Sequence, residues 1–200
     1  MTVDPAWEAA HAARAWGKYP HPAAVEFIGR YYGMDEKPKG IALDIGAGAG
    51  ACTWMLAKSG FIVSAVDASQ SAVNRVREMS RREKISPQVS AIRYEAAAMQ
   101  WPVEFYDVVL DVCCLSCIDI PPAWAIIQRA YGWIKPGGRM LSVMAADDCD
   151  PAIHGEFKVR QATRAEVEGM FAVFRDVFIG KHTRLTRRGF ISEWVVEAQK

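Results

Sequence analysis

No apolar run in the sequence approaches the length of a membrane span. The first residues, Met1-Thr-Val-Asp-Pro5, hold no apolar segment of the kind found in signal peptides. Net charge is nearly absent: 24 Lys and Arg against 23 Asp and Glu leave a formal +1, which argues against a general binder of nucleic acid or anionic membranes. A secreted disulfide framework is missing too, because the five cysteines are an odd number and three crowd together at Cys113, Cys114 and Cys117. A reducing, cytoplasmic setting fits these features. Repeats and low-complexity segments are also absent. What remains is a chain of 200 residues, 51% hydrophobic, which is enough for a single domain with a substantial core and too apolar for disorder.

The pattern alternates strand and helix. Asp4-Pro5 starts a helix that runs to about Arg14, and a second helix runs from Pro22 to a closing Gly33. Ile41 to Asp44 reads as a buried strand, and a helix follows over roughly Cys52 to Ser59. Phe61 to Val66 is the next strand, with Ser69 capping a helix whose buried stripe is Val73, Val76 and Met79. Val89 to Tyr94 and Asp107 to Val112 are further strands. Pro121-Pro122 opens a helix with Trp124, Ile127, Tyr131 and Ile134 on one face, and Lys135-Pro-Gly-Gly138 then turns the chain into a strand from Arg139 to Ala145. Thr163 to Glu166 is a capping box ahead of Val167, Met170, Phe171 and Phe174. Two last strands, near Val177 to Leu185 and Phe190 to Ala198, form a terminal hairpin. Such alternation predicts an α/β fold, a Rossmann-like three-layer sandwich. Its seven-stranded sheet is mostly parallel and ends in the antiparallel hairpin. We expect one domain over residues 1–200, with residues 1–33 a helical appendage to a core over 40–200.

The chain is organised around Ile41 to Ala51, where a strand ends in Asp44 and Gly46, Gly48 and Gly50 alternate with alanines before a helix. Glycines let a ligand approach the backbone, and the free N–H groups of a helix N-terminus favour an electron-rich partner. Gly46-Ala-Gly-Ala-Gly-Ala51 satisfies the dinucleotide pattern G-x-G-x-x-A, and Asp67, 19 residues past Gly48, suits a ribose in either a dinucleotide or another nucleoside. Asp44 argues against a pyrophosphate there and for an amino group. Together with the Lys-Pro-Gly-Gly turn and the C-terminal hairpin, it tips the balance away from an NAD-linked oxidoreductase.

From about Arg14 to Lys200 the chain resembles the class I S-adenosylmethionine-dependent methyltransferases. The marks are Leu43-Asp-Ile-Gly-Ala-Gly-Ala-Gly50, Val66-Asp-Ala-Ser69, Tyr106-Asp-Val-Val109, Ile134-Lys-Pro-Gly-Gly-Arg139 and Ser192-Glu-Trp-Val-Val196. The resemblance implies S-adenosylmethionine as cofactor, with Asp44 on its amino group. Gly46, Ala47, Gly48 and Gly50 would lie under its sugar and methionine portion, Asp67 on its ribose, and Ala68 and Ser69 beside the adenine. An acid that relatives use on the adenine is missing, because Ala96-Ala-Ala98 occupies its place. Glu95, or the backbone of Ala98 and Met99, would stand in for it. Cys113 and Cys114 would border the methyl-transfer site. Arg14, Trp16 and Tyr19 either belong to an N-terminal lid over the cofactor or form a helix junction with buried aromatics.

The implied activity is direct displacement of the methyl group onto a small-molecule acceptor, in a monomer or homodimer without nucleic-acid or membrane partners. A scaffold protein that keeps the fold without transfer is the alternative. Relatives carry a His pair after the fourth strand, but this chain has Leu115-Ser-Cys-Ile118, so no catalytic residue carries over. Asp111, Asp147 and Asp148 resemble the Mg²⁺ acids of catechol-type enzymes, although a hydrogen-bonded buried acid and a polar loop explain them better, and no metal is expected. The five cysteines read as small apolar residues rather than soft-metal ligands. Residues 101–150 carry seven acids and three bases, which favours a neutral or cationic acceptor.

Overall fold

The computed structural model describes residues 5–14, 17–33, 35, 37–155 and 157–200. Seven strands form one sheet in the order β3-β2-β1-β4-β5-β7-β6. They are β1 (Gly40–Ile45), β2 (Phe61–Asp67), β3 (Val89–Arg93), β4 (Tyr106–Val112), β5 (Ile134–Ala145), β6 (Asp176–Thr186) and β7 (Gly189–Gln199). The first five run parallel, and β7 pairs antiparallel with both β5 and β6. The strand order reverses between β1 and β4, and it is beyond the C-terminal ends at such a switch point that open α/β sheets leave a crevice.

Helices cover both faces. On one side α2 (Pro22–Tyr31), α3 (Ala51–Lys58) and α4 (Gln70–Arg82) bury Phe27, Met55, Leu56 and Val76 against Ala42, Val63, Val108 and Leu110. On the other, α5 (Ile120–Trp133) and α6 (Arg164–Phe171) pack Ile126, Ile127, Met170 and Phe171 against Leu43, Ile45, Val109 and Met140. Neighbouring strand residues thus serve opposite layers, as the two-residue period of a strand requires. Asp44 faces the α3 side, where Thr53 meets it. The remaining helix, α1 (Pro5–Ala13), packs on α4, and its expected Asp4 cap lies outside the described residues. No helix among the described residues is long and apolar enough to cross a membrane.

Two expectations shift. The buried stripe of α5 is Ala123, Ile126, Ile127, Ala130 and Trp133, whereas Trp124 is 40% exposed. Small alanines fill the inner face, so the large residues drew the predicted stripe one position off. Trp124 still lies where a Cβ on Gly169 of α6 would come within 2.9 Å of its ring. The Lys135-Pro-Gly-Gly138 turn lies inside β5, which starts at Ile134. The register slips there, from Tyr106 opposite Ile134 to Val108 opposite Arg139. The segment acts as a bulge.

Candidate active site

A cavity of about 570 Å³ opens beyond the C-terminal ends of β1, β2 and β4. Its glycine-turn end is lined by Asp44, Gly46, Ala47, Gly48, Asp67 and Ala68, with Tyr94, Glu95, Ala96 and Ala97 after β3. Its other end is lined by Tyr19 to Pro22, Val112, Cys113, Cys117 and Ile118, and by Arg184 and Glu193 of the terminal hairpin.

The glycine turn is shaped from below. Gly46 has φ +71, and a Cβ there would lie 2.4 Å from that of Cys114, so the turn and the chain leaving β4 touch through a missing side chain. Gly50, at φ +89, is the N-cap of α3, and a Cβ on it would meet Met79 and Val76 of α4. Its role in the structure is to let α3 and α4 approach, and it does not line the cavity. The glycines' own N–H groups are not free, whereas the N-cap of α3 supplies no side-chain bond. Gly46 and Ala47 donate to Val66 O at 2.8 and 3.0 Å, Gly48 donates to Asp67 Oδ2 at 2.9 Å, and Gly50 donates to Ala47 O at 2.8 Å. The turn offers a bare surface, with these donors spent inside the fold.

The carboxylates carry the electrostatics. Asp44 is 2% exposed and accepts from Thr53 Oγ1 at 2.6 Å. Burial pushes its carboxyl up to about 6 against that bond, and the nearby Asp67 adds to the rise. Asp67 accepts from Gly48 N and from Ser69 N (2.8 Å), one bond to each oxygen, and each oxygen keeps a further lone pair. Ser69 itself is buried and lies off the cavity: it caps α4 by accepting from Ala72 N at 3.1 Å. Met99 is fully buried in the core under α5, and neither it nor Ala98 lines the cavity, whereas Glu95, Ala96 and Ala97 do.

Helix α1 closes one wall. Glu8 accepts from Ser69 Oγ at 2.6 Å and Ser71 Oγ at 2.5 Å, bonds that hold its carboxyl down to about 2. Arg75 donates to the carbonyls of His11 and Ala12, and Trp7 stacks on Phe157 with ring centroids 4.2 Å apart. Trp7 and His11 both line the cavity. His11 is 5% exposed and kept neutral by burial, and its Nδ1 is buried without a hydrogen-bond partner among the described residues. Both were missed from the sequence, although their spacing of four puts them on one helix face. Tyr19 lines the cavity while 83% exposed, and Trp16 lies outside the described residues.

At the far end Cys113 adopts φ +64, a strained conformation for a side chain, held by its N–H on Val143 O at 2.9 Å. Burial pushes the thiols of Cys113 and Cys114 well up, so they are protonated. Asp111 accepts from Cys114 N and Leu115 N at 3.0 Å on one oxygen and from Ser142 on the other. Asp148 pairs with Lys181 at 2.7 Å. Those acids do not converge. Among the described residues the one set of convergent ligand-type atoms is His21, His182 and Glu193, which no sequence motif marked.

A parallel sheet of this strand order, with an antiparallel final pair and acids at the ends of β1 and β2, defines a Rossmann-like methyltransferase fold. Residues 42–138 match the family described as "Methyltransferase domain". Just under half of the chain thus matches a methyltransferase family, which favours the methyltransferase resemblance over the dinucleotide alternative. It is similar to "Hemagglutinin 1" of Eikenella corrodens, at 32% identity over 115 residues, 58% of this chain and 37% of that one. It is also similar to "Ubiquinone biosynthesis O-methyltransferase" of Hydrogenovibrio crunogenus, at 26% identity over 121 residues, 59% of this chain and 46% of that one. The matches thus span less than half the length of these curated relatives. Among solved structures, a Burkholderia thailandensis 1,6-didemethyltoxoflavin-N1-methyltransferase with bound 1,6-didemethyltoxoflavin and S-adenosylhomocysteine superposes with a TM-score of 0.74. Its identity is 19%, covering 100% of this chain and 92% of that one, a likeness of fold.

Proposed function

We propose that this protein transfers the methyl group of S-adenosylmethionine to a small-molecule acceptor by direct displacement. The observation that carries the reading is the cavity itself, with buried Asp44 and half-buried Asp67 at one end and a separate polar cluster at the other. The sulfonium supplies an activated methyl and its own leaving group, so the protein's work is to bind, align and exclude water.

In this reading Asp44 pairs with the cofactor's cationic amino group, which lowers the cost of keeping that carboxylate ionised. Asp67 takes the ribose hydroxyls on its free lone pairs, and Gly46, Ala47 and Gly48 give a surface without side chains. His11 Nδ1, lacking a partner, supplies a further polar contact from α1. Ala68 and the Tyr94–Ala97 segment flank the adenine, with Glu95 in place of the missing acid. Residues 1–33 act as a lid on a core over 40–200, all one domain, with Tyr19 at the rim and Cys113 bordering the methyl. The likeness of fold to an enzyme named for a small molecule, 1,6-didemethyltoxoflavin-N1-methyltransferase, supports a small acceptor. We further propose a cytoplasmic monomer or homodimer that engages neither nucleic acid nor membrane.

Calorimetry with S-adenosylhomocysteine and with NAD tests the reading. Binding of the first alone is expected, and a preference for NAD would overturn it.

A further inference from the structure

The far end of the cavity holds a carboxylate that cofactor binding leaves unused. Glu193 on β7 is 7% exposed and lines the cavity. Its Oε2 meets two imidazoles, His21 Nε2 at 3.0 Å and His182 Nδ1 at 3.1 Å, whose rings cross edge to face 5.3 Å apart. Its Oε1 accepts from the Cys113 thiol, with Sγ 3.8 Å away.

Partners fix the protons. His21 Nδ1 accepts from Ala23 N at 3.2 Å as the cap of α2, so its proton sits on Nε2 and is donated to Glu193. His182 can approach an ionised carboxylate only through Nδ1–H. Both imidazoles therefore donate to one oxygen and leave the other to the weak Cys113 thiol donor and, on its second lone pair, to the cavity. Burial alone would raise the Glu193 carboxyl, but the bonds from His21 and His182, together with the Arg184 charge, bring it below its ordinary value. The thiol of Cys113 is protonated, and His154, from the turn Pro151–His154, is the other titratable group that senses this charge. A metal on His21 Nε2 would require a proton on Nδ1 and would strip Ala23 N–H of its acceptor. The helix cap thus selects the proton-donor arrangement.

A docking role for this cluster also has a geometric basis. Glu197, four residues along β7, takes Arg30 Nη1 at 2.8 Å and Tyr31 Oη at 2.9 Å from the other end of α2. Ten helical residues span about 15 Å and four strand residues about 13 Å, so the two glutamates grip both ends of α2. Only Glu193, however, lines the cavity.

Resting on the methyl-transfer reading, we propose that Glu193 is the general base for the acceptor, and that the acceptor is a neutral, phenol-type hydroxyl on an apolar body. The walls beside it, Pro20, Pro22, Val112 and Ile118, suit such a body. A thiolate or carboxylate acceptor would be repelled by the Glu193 charge, and an amine would be held in its unreactive ammonium form. A hydroxyl donates to Oε1 and gains nucleophilicity as its proton leaves. The acceptor oxygen uses a lone pair to bond the methyl carbon, the carbon–sulfur pair stays on sulfur, and the O–H proton passes to Glu193 Oε1. Carboxylate and sulfonium charges cancel together. Glu193 is the catalytic residue, and His21 and His182 are positioning residues.

The test compares the whole chain with Glu193→Gln, using 4-methylphenol as the acceptor probe. S-adenosylhomocysteine affinity is expected to stay within about twofold. Transfer at about pH 7 is expected to fall about 100-fold, and to recover as the pH climbs toward the phenol's own value near 10. His182→Ala should move the acid limb of the wild-type pH profile upward, and His182→Asn, which keeps a donor at the Nδ1 position, should restore it. A loss equal at every pH, no loss, transfer abolished by EDTA, or no transfer by wild type that binds S-adenosylhomocysteine would each overturn the proposal. Failure of wild type to bind S-adenosylhomocysteine would instead sink the cofactor reading.

Discussion

The two ends of the cavity are built in opposite ways. The glycine-turn end centres on one continuous stretch, β1 through Ala68, joined by Tyr94–Ala97 and α1, and the N–H groups of Gly46, Ala47, Gly48 and Gly50 are used holding its own shape. The far end is gathered from the start of α2, the chain after β4, and β6 and β7, with His21 and Glu193 172 positions apart. On the proposed reading, a surface for a constant ligand is made mostly by local chain, and a surface for a variable one by side chains that separate segments bring together. That reading places specificity at the far end.

The largest effect that can break this comparison is steric. Gly46→Val puts a branched side chain where Cys114 already sits and on a backbone at φ +71, so unfolding in urea should show a loss of roughly 3 kcal/mol or more. Cys114→Ala in that background should recover part of it. Next is Asp44→Asn. S-adenosylhomocysteine affinity should drop about 10- to 100-fold in calorimetry, the worth of a charge-assisted contact. The unliganded fold should melt no lower, because a buried carboxylate held up at about 6 is penalised when ionised.

The same group sets a pH dependence. With its folded value above its ordinary one, Asp44 stabilises the empty fold at low pH and loses that contribution as pH rises from about 4 through about 6. Ligand binding needs the ionised form, so affinity should fall about tenfold on going one unit below 6. A flat affinity between pH 7.5 and pH 5 would remove Asp44 from the amino-group role. The smallest effect concerns α1. Trp7→Ala loses the stack on Phe157 and should weaken S-adenosylhomocysteine binding about 3- to 10-fold. An unchanged affinity would mean that α1 is packing alone.

The contrast also explains what could be read from the residues. The sheet, its order of crossovers and the hairpin were legible, because strands buried on both faces and capped helices announce themselves within a few residues. That Asp44, Gly46, Gly48 and Asp67 come together on one cavity was legible for the same reason. Gly50 was assigned to the ligand because glycine spacing does not say whether a bare Cα faces a cofactor or, as here, the Met79 side chain. Ser69 and Met99 were drawn in by their position next to lining residues, yet one turns away to cap α4 and the other into the core. Glu193 looked like one polar residue in an alternating strand. Only antiparallel pairing, which sets it opposite His182, and the docking of α2 give it two imidazoles. Such convergence leaves no local trace.

The division of labour across the cavity is tested most directly by titrating S-adenosylhomocysteine into Asp44→Asn and Glu193→Gln side by side. A loss of more than about tenfold is expected for the first and less than about twofold for the second. Equal losses in both, or none in Asp44→Asn, would contradict it.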